Sequence, residues 1–148
     1  MTRKSILVVD DEKPQREAYE TTLAAAGYDV TTASSGEAAI KFSNERKFDL
    51  VLTDLKMGGI SGNQLLKHIN ALDPATPVIL ITGHGTIEAA KEALRNGAFD
   101  FLEKPVDQET LLAPVRRALG KLDELHSEIV SASPKMDAVK KMILKVAR

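Results

Sequence analysis

The stretch Leu50-Val51-Leu52-Thr53-Asp54-Leu55-Lys56-Met57-Gly58-Gly59 decides the fold. Phe48 and Leu50 to Leu52 form a short apolar run of the kind that makes a strand buried on both faces, as in a parallel sheet. Asp54 closes that run, and two glycines soon follow. A carboxylate at the C-terminal end of a buried parallel strand lies at the crevice where open α/β sheets bind ligands. Taken alone, such an aspartate more often caps the next helix than reacts. Three other strand ends that also carry chemically specific residues change that balance.

Working outward, Ser5 to Val9 is a continuous apolar strand that ends in Asp10-Asp11-Glu12. A helical segment containing Ala18, Leu23 and Ala24 to Ala26 follows and stops at Gly27. Tyr28 to Ala33 reads as a second strand, and Ser34 or Ser35 can cap a helix through Ala38, Ala39, Ile40 and Phe42. Beyond the central stretch, Ser61 to Leu72 carries Leu65, Leu66, Ile69 and Leu72 at helical spacing. Pro77 to Thr82 is a fourth strand. Thr86 to Arg95 is a short helix ending at Asn96-Gly97, and Phe99 to Leu102 a short fifth strand before Lys104-Pro105. Five strands alternating with helices imply right-handed crossovers and an α/β parallel five-stranded sheet with helices on both faces. Strand order does not follow from periodicity.

From Asp107 the pattern is helical and long. Leu111, Val115, Ala118, Leu122, Leu125 and Ile129 fall in an a/d heptad, with Gly120 expected on the outer face. Leu111, Val115 and Ala118 are expected to pack on the sheet. Leu122, Leu125 and Ile129 lie beyond its reach and suggest a homodimer seam. Pro114 should kink this helix. Ser131-Ala132-Ser133-Pro134 reads as a linker, and the last helix carries Met136, Val139, Ile143 and Val146 on one face with nothing after it to pack on. The expected division is therefore 1–120, a globular domain; 121–133, a helical linker; and 134–148, the first helix of a further, truncated domain.

The bulk numbers narrow the function. Twenty basic and 21 acidic side chains give a net charge of −1, so charge argues neither for nor against nucleic acid. With no cysteine there is no disulfide framework, thiolate metal site or thiol nucleophile, which suits a cytoplasmic protein. No signal peptide or membrane-length apolar run is visible. A soluble, intracellular domain is expected.

The strand ends carry the chemistry. The first supplies Asp10 and Asp11, the third Asp54, the fourth Thr82, and the position just past the fifth Lys104. Three converging carboxylates repel one another unless a cation sits among them. Oxygen ligands without His or Cys favour a hard ion, Mg²⁺, which prefers phosphate as co-ligand. Glu12 reads as a helix-start carboxylate. A hydroxyl and an ammonium suit a phosphoryl group, whose charge is spread over three oxygens. A carboxylate can itself be the nucleophile that forms an acyl phosphate, and Asp54 is best placed to attack.

Four motifs, Val8-Val9-Asp10-Asp11-Glu12, Thr53-Asp54-Leu55-Lys56-Met57, Ile81-Thr82-Gly83-His84-Gly85 and Gly97 to Pro105, resemble the receiver domains of two-component response regulators over residues 1 to about 120. The resemblance implies a flavodoxin-like (βα)5 fold and a phosphorylation-dependent switch that is not an enzyme beyond self-phosphorylation and self-dephosphorylation. By it, Asp54 takes the phosphoryl group from a sensor histidine kinase. Asp10, Asp11, Asp54 and the backbone carbonyl of Lys56 bind Mg²⁺, Thr82 and Phe101 form the switch pair, and Lys104 holds the phosphate. Gly58 departs from the family, which often has proline after the Lys-Met pair; a more mobile loop is expected. The Thr-Gly-His-Gly loop, the Phe-Leu-Glu-Lys-Pro ending and the tail resemble the NtrC-type activators, in which a receiver precedes an AAA+ ATPase acting on sigma-54 RNA polymerase. Contacts with polymerase and DNA would then belong to domains absent from this chain, and no ATP-binding loop motif occurs in it.

Other readings on the same pattern are weaker. A flavodoxin-type FMN carrier would need a phosphate-binding first loop, where Asp10-Asp11-Glu12 repels phosphate. An aspartate-nucleophile phosphatase would need an acid at position 56, which is lysine. A stand-alone phosphorelay shuttle would leave the heptad and tail without purpose. His68 and His126 are expected in solvent; His84, two residues past Thr82, is with Lys56 a candidate for tuning water access to the acyl phosphate.

Overall fold

The computed structural model describes residues 3–83 and 87–131, with the side chains of 121–131 left out. Ten elements alternate: β1 (Ser5–Val9), α1 (Lys13–Ala25), β2 (Asp29–Ala33), α2 (Gly36–Glu45), β3 (Leu50–Asp54), α3 (Gly62–Leu72), β4 (Val78–Thr82), α4 (Ile87–Arg95), β5 (Asp100–Glu103) and α5 (Gln108–Ser131). The sheet order is β2-β1-β3-β4-β5 and every pairing is parallel. The order reverses direction between β1 and β3, so the crevice of a doubly wound sheet opens beside the strands that carry Asp10 and Asp54.

The central strands are apolar on both faces because helices cover both. Val51, Val78, Leu80, Leu7 and Val9 pack under α2, α3 and α4 with Ala39, Leu65, Leu66, Ile69 and Ala93. Ile6, Val8, Leu50, Leu52, Ile79 and Ile81 pack under α1 and α5 with Tyr19, Leu23, Leu111, Leu112, Val115, Ala118 and Leu119. Two helix starts and one helix end have clear local causes. Ser35, not Ser34, caps α2 by accepting from Ala38 N at 3.0 Å. Ser61 and Gln64 form a reciprocal capping box on α3. Gly27 ends α1 at φ +100°, a left-handed conformation that favours glycine.

Several expectations need correction. The expected first helix is present as α1, where Tyr19 and Leu23, one turn apart, are buried and Ala18 and Ala24 to Ala26 are exposed. The buried stripe of α5 is wider than an a/d seam, since Leu112 and Leu119 join Leu111, Val115 and Ala118. A single sheet-facing helix needs that broader stripe. Pro114, where a kink is expected, is buried within α5, which runs on to Ser131. Gly120 is half-buried rather than on the outer face, and His68 is half-buried, with Nε2 3.4 Å from Asn44 Oδ1. His84 lies outside the described residues, as do the side chains of Leu122, Leu125, His126 and Ile129 and the whole of 132–148. Among the described residues, no helix is long and apolar enough to cross a membrane.

Candidate functional site

Parallel pairing brings the C-terminal ends of β1, β3 and β4 to one edge. Asp10 follows β1, Asp54 closes β3 and Thr82 closes β4; all three are buried, with Asp10 1% and Asp54 7% exposed. Asp11 stands beside them at the surface. One carboxylate oxygen from each of Asp10, Asp11 and Asp54 lies within 4.8 Å of the others. Lys104, in the turn after β5, places its Nζ 3.4 Å from Asp54 Oδ2. Its backbone N donates to Thr82 O at 2.8 Å, and its bond to Pro105 is cis.

The backbone holds these groups. Asp54 Oδ1 accepts from Leu55 N at 3.0 Å, and Asp10 Oδ1 accepts from Glu12 N at 2.9 Å. Arg16 Nη1 donates to Asp10 O at 2.9 Å, tying the first turn of α1 to the end of β1. Glu12 precedes α1 as its N-cap without a side-chain capping bond.

Electrostatics show a pocket short of positive charge. Burial, then the neighbouring Asp10, pushes the Asp54 carboxyl above its ordinary value, against the pull of Lys104. Burial likewise raises Asp10, opposed by its bond from Glu12 N and by Lys104. Tyr19, buried beneath the acids, is pushed up to about 12 by burial and then by Asp10 and Asp54. Asp10 Oδ2 is buried and accepts no hydrogen bond among the described residues. An orphaned buried oxygen on one of three clustered carboxylates is a costly arrangement that a hard cation relieves. The donor set therefore fits Mg²⁺.

The remaining candidates are spread around this edge. Phe101 is half-buried on β5 in the α2–α4 layer. Thr82 follows Val78 and Leu80 in strand parity, so both lie on the α4 side. Lys56 is exposed in the β3–α3 loop. Sequence reasoning missed Arg16, Tyr19 and Glu37. Arg16 and Tyr19 sit at spacings from Asp10 that put them on the site-facing side of α1. For Glu37, which reaches the β3–α3 loop from another helix, no signal exists along the chain.

Residues 6–116 match the response regulator receiver domain model. The chain belongs to the response regulator receiver family. The transcriptional regulatory protein ZraR of Escherichia coli O157:H7 is 42% identical over 127 residues, covering 86% of this chain and 28% of that protein. A receiver domain crystal structure from Clostridium thermocellum superposes with a TM-score of 0.78 at 35% identity, covering 82% of this chain and 98% of that one. The crystal structure of NtrX from Brucella abortus in complex with ADP matches with a TM-score of 0.78 at 36% identity, covering 99% of this chain and 34% of that one. The chain thus spans about a third of the length of ZraR and of NtrX. The (βα)5 fold expected from the strand pattern and the receiver resemblance are both established.

Proposed function

We propose that this receiver is a phosphorylation-dependent switch in which Asp54 accepts a phosphoryl group from a sensor histidine kinase. The observation that carries the reading is the convergence of Asp10, Asp11 and Asp54 carboxylates, one of which has a buried orphaned oxygen, with Lys104 Nζ 3.4 Å from Asp54. Asp10, Asp11, Asp54 and the Lys56 carbonyl would hold Mg²⁺, which supplies charge neutralisation for the transferring phosphoryl oxygens.

The chain's own groups then have distinct tasks. The Leu55 N–H fixes the plane of the Asp54 carboxylate, leaving the acid aimed at the crevice. An Asp54 oxygen attacks phosphorus; the bond to the kinase imidazole breaks, and its electron pair returns to that nitrogen. Lys104 leaves its ion pair with Asp54 to take the phosphoryl oxygens, a charge-assisted contact of the kind that stabilises spread negative charge. The Thr82 hydroxyl donates to the same group, and Phe101 fills the space that Thr82 vacates. Lys56, exposed in the β3–α3 loop, is a candidate for controlling water access, as is His84 by its sequence position two residues past Thr82.

The output we infer is an NtrC-type one. Residues 1–120 form the receiver, 121–133 a helical linker and dimer seam, and 134–148 the first helix of an AAA+ ATPase acting on sigma-54 RNA polymerase. ZraR is a transcriptional regulator, and the longer NtrX chain is in complex with ADP, which supports a nucleotide-binding module after the receiver.

Incubation with acetyl phosphate and Mg²⁺ should add one phosphoryl group, read by intact mass. Asp54→Asn should add none; stoichiometric labelling of that variant would show another acceptor.

A further inference from the structure

The β3–α3 loop is gripped from two sides by carboxylates of other elements. From the β1–α1 turn, Asp11 Oδ2 accepts from Gly58 N at 3.2 Å. From the first turn of α2, Glu37 Oε2 accepts from Ile60 N at 3.2 Å. Between them Gly59 takes φ +86°, and any β-carbon there would stand 2.6 Å from Glu37 Oε2. The Ile60 side chain lies directly over the bare Gly36 backbone, so side chain and amide of one residue dock on the same turn of α2. The next amide, Ser61 N, is held at 2.8 Å by Gln64 Oε1 of the capping box. Three of the four amides from Gly58 to Ser61 are thus bound by side-chain oxygens rather than by backbone.

Where the family often has proline, Gly58 thus makes its contact with Asp11 through the atom that proline lacks. A proline at 58 has no N–H to offer Asp11. We propose that Glu37 and the Gly58 amide are positioning groups for the divalent-cation site: Glu37 anchors the loop to α2, and the anchored loop aims the Gly58 N–H at Asp11. This rests on the reading of Asp11 as a cation ligand. A ligating carboxylate with one oxygen held by a donor presents its remaining lone pairs in a fixed direction, and removing such outer partners lowers metal affinity. The same loop carries the Lys56 carbonyl, so loosening it costs two ligands their placement.

The test measures Mg²⁺ affinity of the unphosphorylated protein, by calorimetry and by ¹H–¹⁵N shifts during titration, in two matched pairs of variants. Gly58→Ala keeps the amide, and a β-carbon at 58 meets nothing within 4 Å; Gly58→Pro removes the amide. Glu37→Gln keeps an acceptor for Ile60 N, and Glu37→Ala does not, while both lose the same charge. Gly58→Pro and Glu37→Ala should weaken binding roughly 3- to 10-fold, below the usual range for buried outer partners because this clasp is exposed. Gly58→Ala and Glu37→Gln should stay within about twofold of wild type, and in wild type the Gly58 and Ile60 amides should shift together as Mg²⁺ is added. Equal affinity within each pair, with a well-dispersed spectrum, overturns the positioning role while leaving the cation site in place. A wild type that binds no Mg²⁺ at millimolar concentration removes the cation reading itself, and the clasp's role with it.

Discussion

At the scale of single residues, the site is an unfavourable arrangement of charge that the rest of the fold supports. Asp10 and Asp54 are both buried, and burial is the main reason their carboxyls titrate above the ordinary value of 3.8. A folded-state pKa above the unfolded one means that the native protein binds protons the unfolded chain has released. The stability from these groups is present below the ordinary carboxylate pKa and is lost as pH rises through the raised values. Metal-free wild type should therefore lose stability across the weakly acidic range more steeply than Asp10→Asn does. The asparagine keeps Oδ1 as the acceptor for Glu12 N and removes one of three like charges. Near neutral pH without metal it should be more stable than wild type by on the order of 1 kcal/mol, measured by urea unfolding. With saturating Mg²⁺ the order should reverse, because only wild type gains the linked binding energy. Asp10→Asn less stable than wild type without metal would mean that Oδ2 already has a partner. Asp54 as an end-of-strand acid was legible in the sequence; the depth of its burial was not, since that depends on which helices close over the sheet edge.

At the scale of elements, the switch we propose would run from the pocket to the surface through β4, β5 and α4. Alternation along β4 sends Val78 and Leu80 to the α2–α4 layer and Ile79 and Ile81 to the other. By parity Thr82 shares the first side with Phe101, whose strand partner is Leu80. The neighbouring α4 is a short helix with one buried residue, Ala93, and with Ile87 and Leu94 exposed at 74% and 51%. Among the described residues it has the fewest buried residues of the five helices, and elements with few buried contacts shift at low cost. Moving a two-state element from 1:99 to 99:1 takes about 5.5 kcal/mol of differential binding. In the proposed switch, a charge-assisted bond from the Thr82 hydroxyl would supply part of that. Thr82→Ala should still be phosphorylated at Asp54, while the amide shifts across α4 and β5 seen in phosphorylated wild type shrink toward the unphosphorylated positions. Full-sized shifts in Thr82→Ala would take Thr82 out of the path. Element identity was readable from the chain because a residue period and a stop signal are local properties. The membership of each layer was not, and in α1 the apolar alanines pointed away from the face that Tyr19 and Leu23 bury.

At the scale of the whole molecule, α5 continues as helix to Ser131, twelve residues past Leu119, the last residue known to pack on the sheet. Leu122, Leu125 and Ile129 extend its apolar repeat there. Burying each against a second copy is worth about 1.5–3 kcal/mol, enough for three per chain to offset the entropy of association at micromolar concentration. Light scattering should find residues 1–148 dimeric, and both a chain ending at Gly120 and Leu122→Lys/Leu125→Lys monomeric; a monomeric 1–148, with and without phosphorylation, ends the proposal. The fold class, the element order and the acids at the strand ends were determined by the sequence itself. Each depends on neighbours along the chain: a run of β-branched and leucine residues, a period of 3.6, a glycine stop, a carboxylate at the end of a run. What only the tertiary structure decided is what depends on residues far apart in sequence. The order β2-β1-β3-β4-β5 brings Asp10 and Asp54 to the C-terminal ends of adjacent strands and Lys104 Nζ to 3.4 Å from Asp54. The same packing puts Glu37 against Ile60 and Asp11 against Gly58. A carboxylate on one helix and an amide in a distant loop leave no shared period in the chain, because their meeting is set by how α2 and α3 pack on the sheet and by nothing local to either.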